Sequence, residues 1–111
     1  MKLPRGIIIP DDKLTRYLLV FRIWDDKSKF LAKAGFTQGN PDDLKMALIA
    51  LAERYETVDD GINEYGTFLR TDGKIVGPNG RGLPVTAIWL RWHGDGSVHF
   101  VTLKPGKEDP R

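Results

Sequence analysis

Residues 40–56 read NPDDLKMALIALAERYE and set the architecture of the whole chain. Asn40 is a typical helix cap, Pro41 suits a first turn, and the two aspartates that follow lie at the positive end of a helix dipole. The leucines recur at helical spacing, so we expect Leu48 and Leu51 to face a core. The pattern predicts a helix that begins after Asn40 and ends near Tyr55.

Two further helices are predicted before this one. The first begins at Asp11 and carries an apolar stripe as far as Phe21, and the second runs from about Asp26 to Ala34. Gly35 fits the position just past a helix end.

After residue 56 the periodicity changes from helical to strand-like. Turn signals at Asp60-Gly61, Asp72-Gly73, Asn79-Gly80 and 94–96 divide the remainder. They predict strands near 62–71, 74–77, 83–92 and 97–104, with a shorter one near 57–60. Turns this closely spaced join antiparallel neighbours.

The expected fold class is therefore α+β, with two or three N-terminal helices packed on a four- to five-stranded antiparallel sheet. Both faces of the segment 83–92 are largely apolar, which favours a central strand under a helix. A chain of 111 residues has room for a single domain, so we assign 1–111 to one domain with a frayed tail at about 106–111.

Composition excludes several kinds of site. The chain has no cysteine, which removes disulfides, thiolate metal sites and cysteine nucleophiles. No apolar run is long enough to span a bilayer, and the N-terminus lacks the apolar region of a signal peptide. We therefore expect a cytoplasmic protein that does not associate with membranes.

Charge is unevenly distributed along the sequence. Residues 1–40 have a net charge of +4, residues 41–64 of −5 and residues 65–111 of +3. If the fold joins the basic ends, one face could bind a polyanion such as RNA. The alternative is an ordinary mixed, solvated surface.

The two histidines are the candidate proton-transfer groups. His93 precedes a turn and His99 lies in the last predicted strand. Imidazole titrates near neutral pH, so His99 could act as a general acid or base. Asp95 is the one acid close to both, and this spacing matches no zinc pattern. We expect neither a metal nor another cofactor.

Basic and aromatic residues accompany these histidines. Metal-free ribonucleases stabilise a cleaving phosphate with cations, and aromatic residues on a sheet can stack on unpaired bases. The candidate aromatics are Trp24, Trp89, Trp92 and Tyr65. The opposing interpretation is that the tryptophans are core and the cations solvated. The candidate nucleic-acid-binding cations are Lys29, Lys33, Arg70, Arg91 and Lys104.

Several motifs resemble a small bacterial family, a domain of unknown function found alone, often in cyanobacteria, and as a tail domain of phage-related and toxin-like proteins. They are Lys27-Ser28-Lys29-Phe30-Leu31, Gly35-Phe36, Tyr65-Gly66, Gly77-Pro78-Asn79-Gly80-Arg81, the Val85-x-x-x-Trp89 strand and Val101-Thr102-x-x-Pro105. That family in turn is similar to the RelE, colicin D and barnase–EndoU group of metal-free ribonucleases. The resemblance implies Lys27, Arg81 and Thr102 as catalytic positions beside His99.

The chain departs from the family pattern at two places. Phe21 and Trp24 stand where the family usually has a histidine and a glycine, and Leu103-Lys104 replaces an Ala-Tyr pair. If the missing histidine and tyrosine are catalytic, this copy is inactive.

Two functional hypotheses follow. The first is a ribonuclease-type or RNA-contacting domain of the toxin kind, in which Lys27, Arg81 and Thr102 converge on one basic surface. The second is a non-catalytic module, such as an immunity, antitoxin or accessory protein, whose acidic middle and exposed aromatics bind a protein partner.

Overall fold

The structure is a computed structural model that describes residue 3, residues 6–10 and residues 27–106, with side chains described from Lys29 onward in the long segment. Two helices precede four strands in this part of the chain. The strands form one antiparallel sheet in the order β1-β2-β3-β4. The elements are α1 (Lys27–Ala32), α2 (Pro41–Arg54), β1 (Thr57–Ile62), β2 (Gly66–Val76), β3 (Gly82–Trp92) and β4 (Val98–Pro105).

Helix α2 confirms the strongest sequence prediction. Pro41 occupies its first turn, and both Leu48 and Leu51 are buried. Asn40 is the N-cap residue, as predicted, but its side chain makes no capping hydrogen bond. Its amide instead donates to the Gly35 carbonyl at 2.9 Å and accepts from the Thr37 N–H at 2.7 Å. The Asn40 side chain thus stabilises the loop between the helices, while its backbone carbonyl accepts from the Asp43 N–H at the start of α2.

Helix α1 ends at Ala32, two residues before the predicted end at Ala34. Gly35 has a φ of +91°, a conformation that L side chains rarely adopt. The turn between β2 and β3 packs against this end, because the Asn79 N–H donates to the Ala34 carbonyl and the Asn79 side chain donates to the Lys33 carbonyl. These bonds join α1 to one end of the sheet.

The core lies between the helices and one face of the sheet, which we call the inner face. Leu31, Ala34, Phe36 and the leucines of α2 pack there against alternate residues of the strands. Trp89 and Phe100 meet edge to face at 5.6 Å. The strand residues in this core are Leu69, Ile75, Leu83, Val85, Ala87, Trp89, Val98, Phe100 and Leu103.

Two of the predicted turns are wrong. Asp72-Gly73 lies inside β2, where Gly73 pairs with Val85, so residues 66–76 form one long strand rather than two. A Cβ at Gly73 would lie 2.6 Å from the Tyr55 ring, so this glycine allows the end of α2 to approach the sheet. Asp60-Gly61 lies inside β1, at an irregularity in its pairing with β2.

The N-terminal segment around Ile8 pairs with β4, which is an edge strand of the sheet. The Ile8 N–H donates to the Val98 carbonyl, and the Phe100 N–H donates to the Ile8 carbonyl, each at 2.8 Å. Ile9 reaches the core. A short parallel bridge therefore covers part of the β4 edge.

The sheet has four strands, as expected, but the expectation of two or three N-terminal helices is not borne out. Residues 27–106 contain two helices, and α1 has only six residues. The first predicted helix, from Asp11, lies outside the described residues, as do residues 107–111 of the expected frayed tail. Gly106 itself is held by a hydrogen bond from its N–H to the Pro84 carbonyl.

Candidate functional site

The face of the sheet opposite the helices carries most of its polar side chains, and we call it the outer face. Strand pairing places Thr102 opposite Ile88, and Ile88 opposite Arg70. His99 pairs with Leu90, and Lys104 with Thr86. The sequence-predicted residues Arg70, His99, Thr102 and Lys104 therefore share the outer face.

A β-bulge at Val101 makes this arrangement possible. Ile88 pairs with Thr102 and Trp89 with Phe100, so Val101 has no residue opposite it. His99 and Thr102 are three positions apart, and strict alternation would put them on opposite faces. Because Val101 is not paired, the alternation starts again after it, and His99 and Thr102 lie on the same face. Bulges are frequent near active sites because they change the direction of side chains.

His99 is held by its neighbours on β3 and in the β3–β4 turn. Its ring stacks on Trp92 with 4.7 Å between centroids and 25° between planes. Its Nε2 lies 2.9 Å from the Ser97 hydroxyl, which donates to the Asp95 carboxylate at 2.6 Å. The hydrogen bonds from Ser97, side chain first, lower the pKa of Asp95 from its ordinary 3.8. Three polar residues thus form one hydrogen-bonded chain.

Arg70 belongs to an ion-pair cluster on the β1–β2 side of the outer face. Its guanidinium contacts Asp72 at 2.9 Å and Asp60 at 3.4 Å. Asp72 also accepts a hydrogen bond from Thr86 at 2.6 Å. A surface cleft of about 590 Å³ lies here, and Gly106 forms part of its wall. Two carboxylates already occupy this arginine, so it is a weaker phosphate ligand than its position alone suggests.

The other predicted residues lie elsewhere. Lys29 is exposed on α1 and Lys33 is exposed in the turn that follows it, on the helix side of the sheet, and Lys27 begins that helix. Arg81 is exposed in the turn that packs against the end of α1. Strand alternation puts Arg91 on the inner-face side, opposite Val98. The structure therefore places Thr102 and the helix that contains Lys27 on different sides of the sheet, so the predicted convergence of Lys27, Arg81 and Thr102 on one basic surface is wrong.

The sequence did not lead us to connect Ser97 with His99. It linked Asp95 to the histidines only as a metal ligand, and among the described residues no three acidic or histidine side chains come together. The spacing Asp95-x-Ser97-x-His99 could have indicated this group, because alternate residues of an extended segment point to the same side.

A second surface lies at the opposite edge of the sheet. β1 is acidic and exposed over five of its six residues. Val58, Ile62 and Tyr65 are 45%, 74% and 65% exposed. Asp59 and Glu64 lie among them in the sequence. This edge combines negative charge with apolar side chains, a composition suited to a protein partner.

Comparison with known proteins identifies the family. Residues 2–107 match a domain of unknown function, DUF6883, and the chain belongs to that family. None of the curated proteins matches. Among the described residues, no helix is long and apolar enough to cross a membrane.

A solved structure has a similar fold. It is a chain of a contact-dependent growth inhibition toxin–immunity protein complex from Klebsiella pneumoniae 342. The TM-score is 0.70 at 16% sequence identity, and the similarity covers 88% of this chain and 98% of that chain. At this identity the likeness concerns the fold alone.

Proposed function

We propose that this chain is an RNA-contacting, ribonuclease-type module of the toxin kind, and that RNA binds along the outer face on strands β3 and β4. The observation that carries the proposal is the convergence of His99, Thr102 and Lys104 on that face through the Val101 bulge. The group supplies a proton acceptor, a hydroxyl and a cation, which are the parts that metal-free phosphodiester cleavage needs.

The charge distribution favours the β4 side of the face. Lys104 is exposed there, and the outer-face positions of β3 and β4 hold no carboxylate. The two acids of the face, Asp60 and Asp72, lie on β1 and β2 and pair with Arg70. A phosphate beside Lys104 therefore meets less repulsion than one beside Arg70.

Trp92 provides a place for a base. It is 47% exposed and already stacks on the His99 ring. Exposed aromatic rings bind unpaired bases of any sequence, and each stacked base contributes about 1–3 kcal/mol. A single-stranded RNA could thus stack one base on Trp92 and place the phosphate next to that base along β4.

The similar fold in a toxin–immunity complex supports a toxin or immunity role, and the resemblance to RelE-like ribonucleases favours the first of these. Lys27 and Arg81 remain catalytic candidates by that resemblance alone. Under the proposal they are secondary, because their elements are α1 and the turn beside it.

The test is a titration of labelled single-stranded RNA, followed by anisotropy for binding and by gel analysis for cleavage. We expect weak, salt-sensitive binding, and loss of cleavage in His99→Ala. His93→Ala is the matched control, since His93 is exposed in the β3–β4 turn and makes a backbone hydrogen bond to Tyr65. Equal effects of the two substitutions, or no RNA binding at low salt, would contradict the proposal.

A protein-interaction module of the immunity kind is the second candidate. The acidic, apolar edge of β1 favours it, because Val58, Ile62 and Tyr65 are exposed beside carboxylates. Such a module would bind a basic protein and leave RNA untouched. Ile62→Ser should then abolish binding to the product of a neighbouring gene, while His99→Ala should leave it unchanged.

A further inference from the structure

We infer that Ser97 and Asp95 are positioning residues that hold the His99 imidazole with its Nδ1 as the proton acceptor for RNA cleavage. This inference rests on the function proposed above and deepens it. It concerns two residues of the β3–β4 turn and one ring on the outer face.

Counting protons along the chain of hydrogen bonds fixes the tautomer. An ionised carboxylate only accepts, so the 2.6 Å contact requires the Ser97 hydroxyl to donate to Asp95. A hydroxyl has one proton, and Ser97 must therefore accept in its 2.9 Å contact with Nε2 of His99. The neutral ring then carries its proton on Nε2, and Nδ1 is left with a free lone pair.

The surroundings keep this geometry in place. Asp95 also accepts from the Ser97 backbone N–H at 2.9 Å, so the carboxylate is anchored twice by one residue. Stacking on Trp92 restrains the plane of the ring. Among the described residues, the Ser97 hydroxyl is the hydrogen-bond partner of the imidazole, which leaves Nδ1 for a substrate.

The step that follows is a transesterification. Nδ1 of His99 takes the proton of an RNA 2′-hydroxyl, the 2′-oxygen forms a bond to the adjacent phosphorus, and the bond from phosphorus to the 5′-oxygen breaks. The leaving oxygen takes a proton from water, and the imidazolium returns its proton to the hydroxide so formed. The products are a 2′,3′-cyclic phosphate and a 5′-hydroxyl.

Nitrogen NMR of the labelled full chain at neutral pH reads the tautomer without any RNA. We expect the neutral ring of the wild type to be protonated on Nε2. Ser97→Ala should give a mixture of tautomers, and Ser97→Thr should restore the wild-type state. Asp95→Ala frees the serine proton to donate to Nε2, so the ring proton should move to Nδ1. Asp95→Asn keeps an accepting oxygen and should not cause this move.

Cleavage measured on the same variants tests the consequence. We expect Ser97→Ala to slow cleavage about two- to tenfold, the equivalent of one neutral hydrogen bond. His99→Ala should slow it by about 10²–10⁴, the range for a general base. Ser97→Thr should cleave at nearly the wild-type rate.

The outcomes separate the two proposals. RNA cleavage by a wild type whose ring is protonated on Nδ1 overturns this inference and leaves the proposed function standing. A wild type with the expected tautomer that binds and cleaves no RNA overturns the proposed function, and the base role with it.

Discussion

Replacing Thr71 with valine should destabilise the protein through the loss of two buried hydrogen bonds. The Thr71 hydroxyl accepts from the indole N–H of Trp89 at 3.0 Å and lies 2.6 Å from the hydroxyl of Thr57. Thr71 and Trp89 are both 0% exposed. Valine has nearly the shape of threonine, so the substitution removes the acceptor without opening a cavity.

The expected cost follows from the unpaired groups. A buried donor that loses its partner costs about 1–3 kcal/mol, and no water can replace the hydroxyl at a fully buried site. A change of 1 kcal/mol shifts the melting temperature of a domain of this size by about 4 °C. Thr71→Val should therefore lower it by about 4–12 °C.

Two measurements check this prediction. Urea unfolding followed by tryptophan fluorescence gives the change in the free energy of unfolding. Hydrogen exchange of the Trp89 indole N–H, followed by NMR, gives the state of the bond itself. Thr71→Ser is the control, because it keeps the acceptor and should keep the indole N–H protected. Full stability and full protection in Thr71→Val would refute the reasoning.

Three other measurements probe the core, the outer face and the turn. Leu48→Ala should cost about 2–5 kcal/mol because Leu48 is completely buried, whereas Met46→Ala, at a side chain 65% exposed, should change stability by less than about 0.5 kcal/mol; equal costs in chemical unfolding would mean that α2 packs on another side. Lys104→Ala should flatten the salt dependence of RNA affinity by about 0.7 on logarithmic axes, and Lys33→Ala should not; the reverse result would move the phosphate contacts to α1. The pKa of Asp95 is lowered from its ordinary 3.8 in the folded chain, so its contribution to stability is present above that pH and is lost as the pH falls through the lower, folded value. Acid unfolding of Asp95→Asn should lack this component. Identical acid unfolding of this variant and the wild type would contradict the stabilising role of the ionised Asp95 carboxylate.

Sequence patterns located the elements better than the turns. α2 was predictable because its leucines recur at helical spacing and Pro41 follows a polar residue. Asp72-Gly73 misled because the pair is a common turn signal. In the fold, the missing side chain of Gly73 allows the Tyr55 ring to pack closely against β2. This is a tertiary contact, which a local sequence pattern does not predict.

The site was predictable in its residue types but not in its grouping. His99, Thr102 and Lys104 are recognisable as chemically useful residues of one strand. They share a face because of the bulge at Val101, and the sequence does not predict this bulge, since valine is common in regular strands. Lys27 and Arg81 belong to elements on the helix side and at the end of the sheet, which only the packing of α1 determines.

The bulge also affects the shape of β4. Deleting Val101 would remove the bulge and leave a regular strand, in which Phe100 and Thr102 become neighbours and His99 and Thr102 still share the outer face. The deletion changes the local bend and twist of β4, and with them the distance and angle between these two side chains. Loss of cleavage in such a variant would show that the bend itself sets the geometry, whereas retained cleavage would show that a shared face is sufficient.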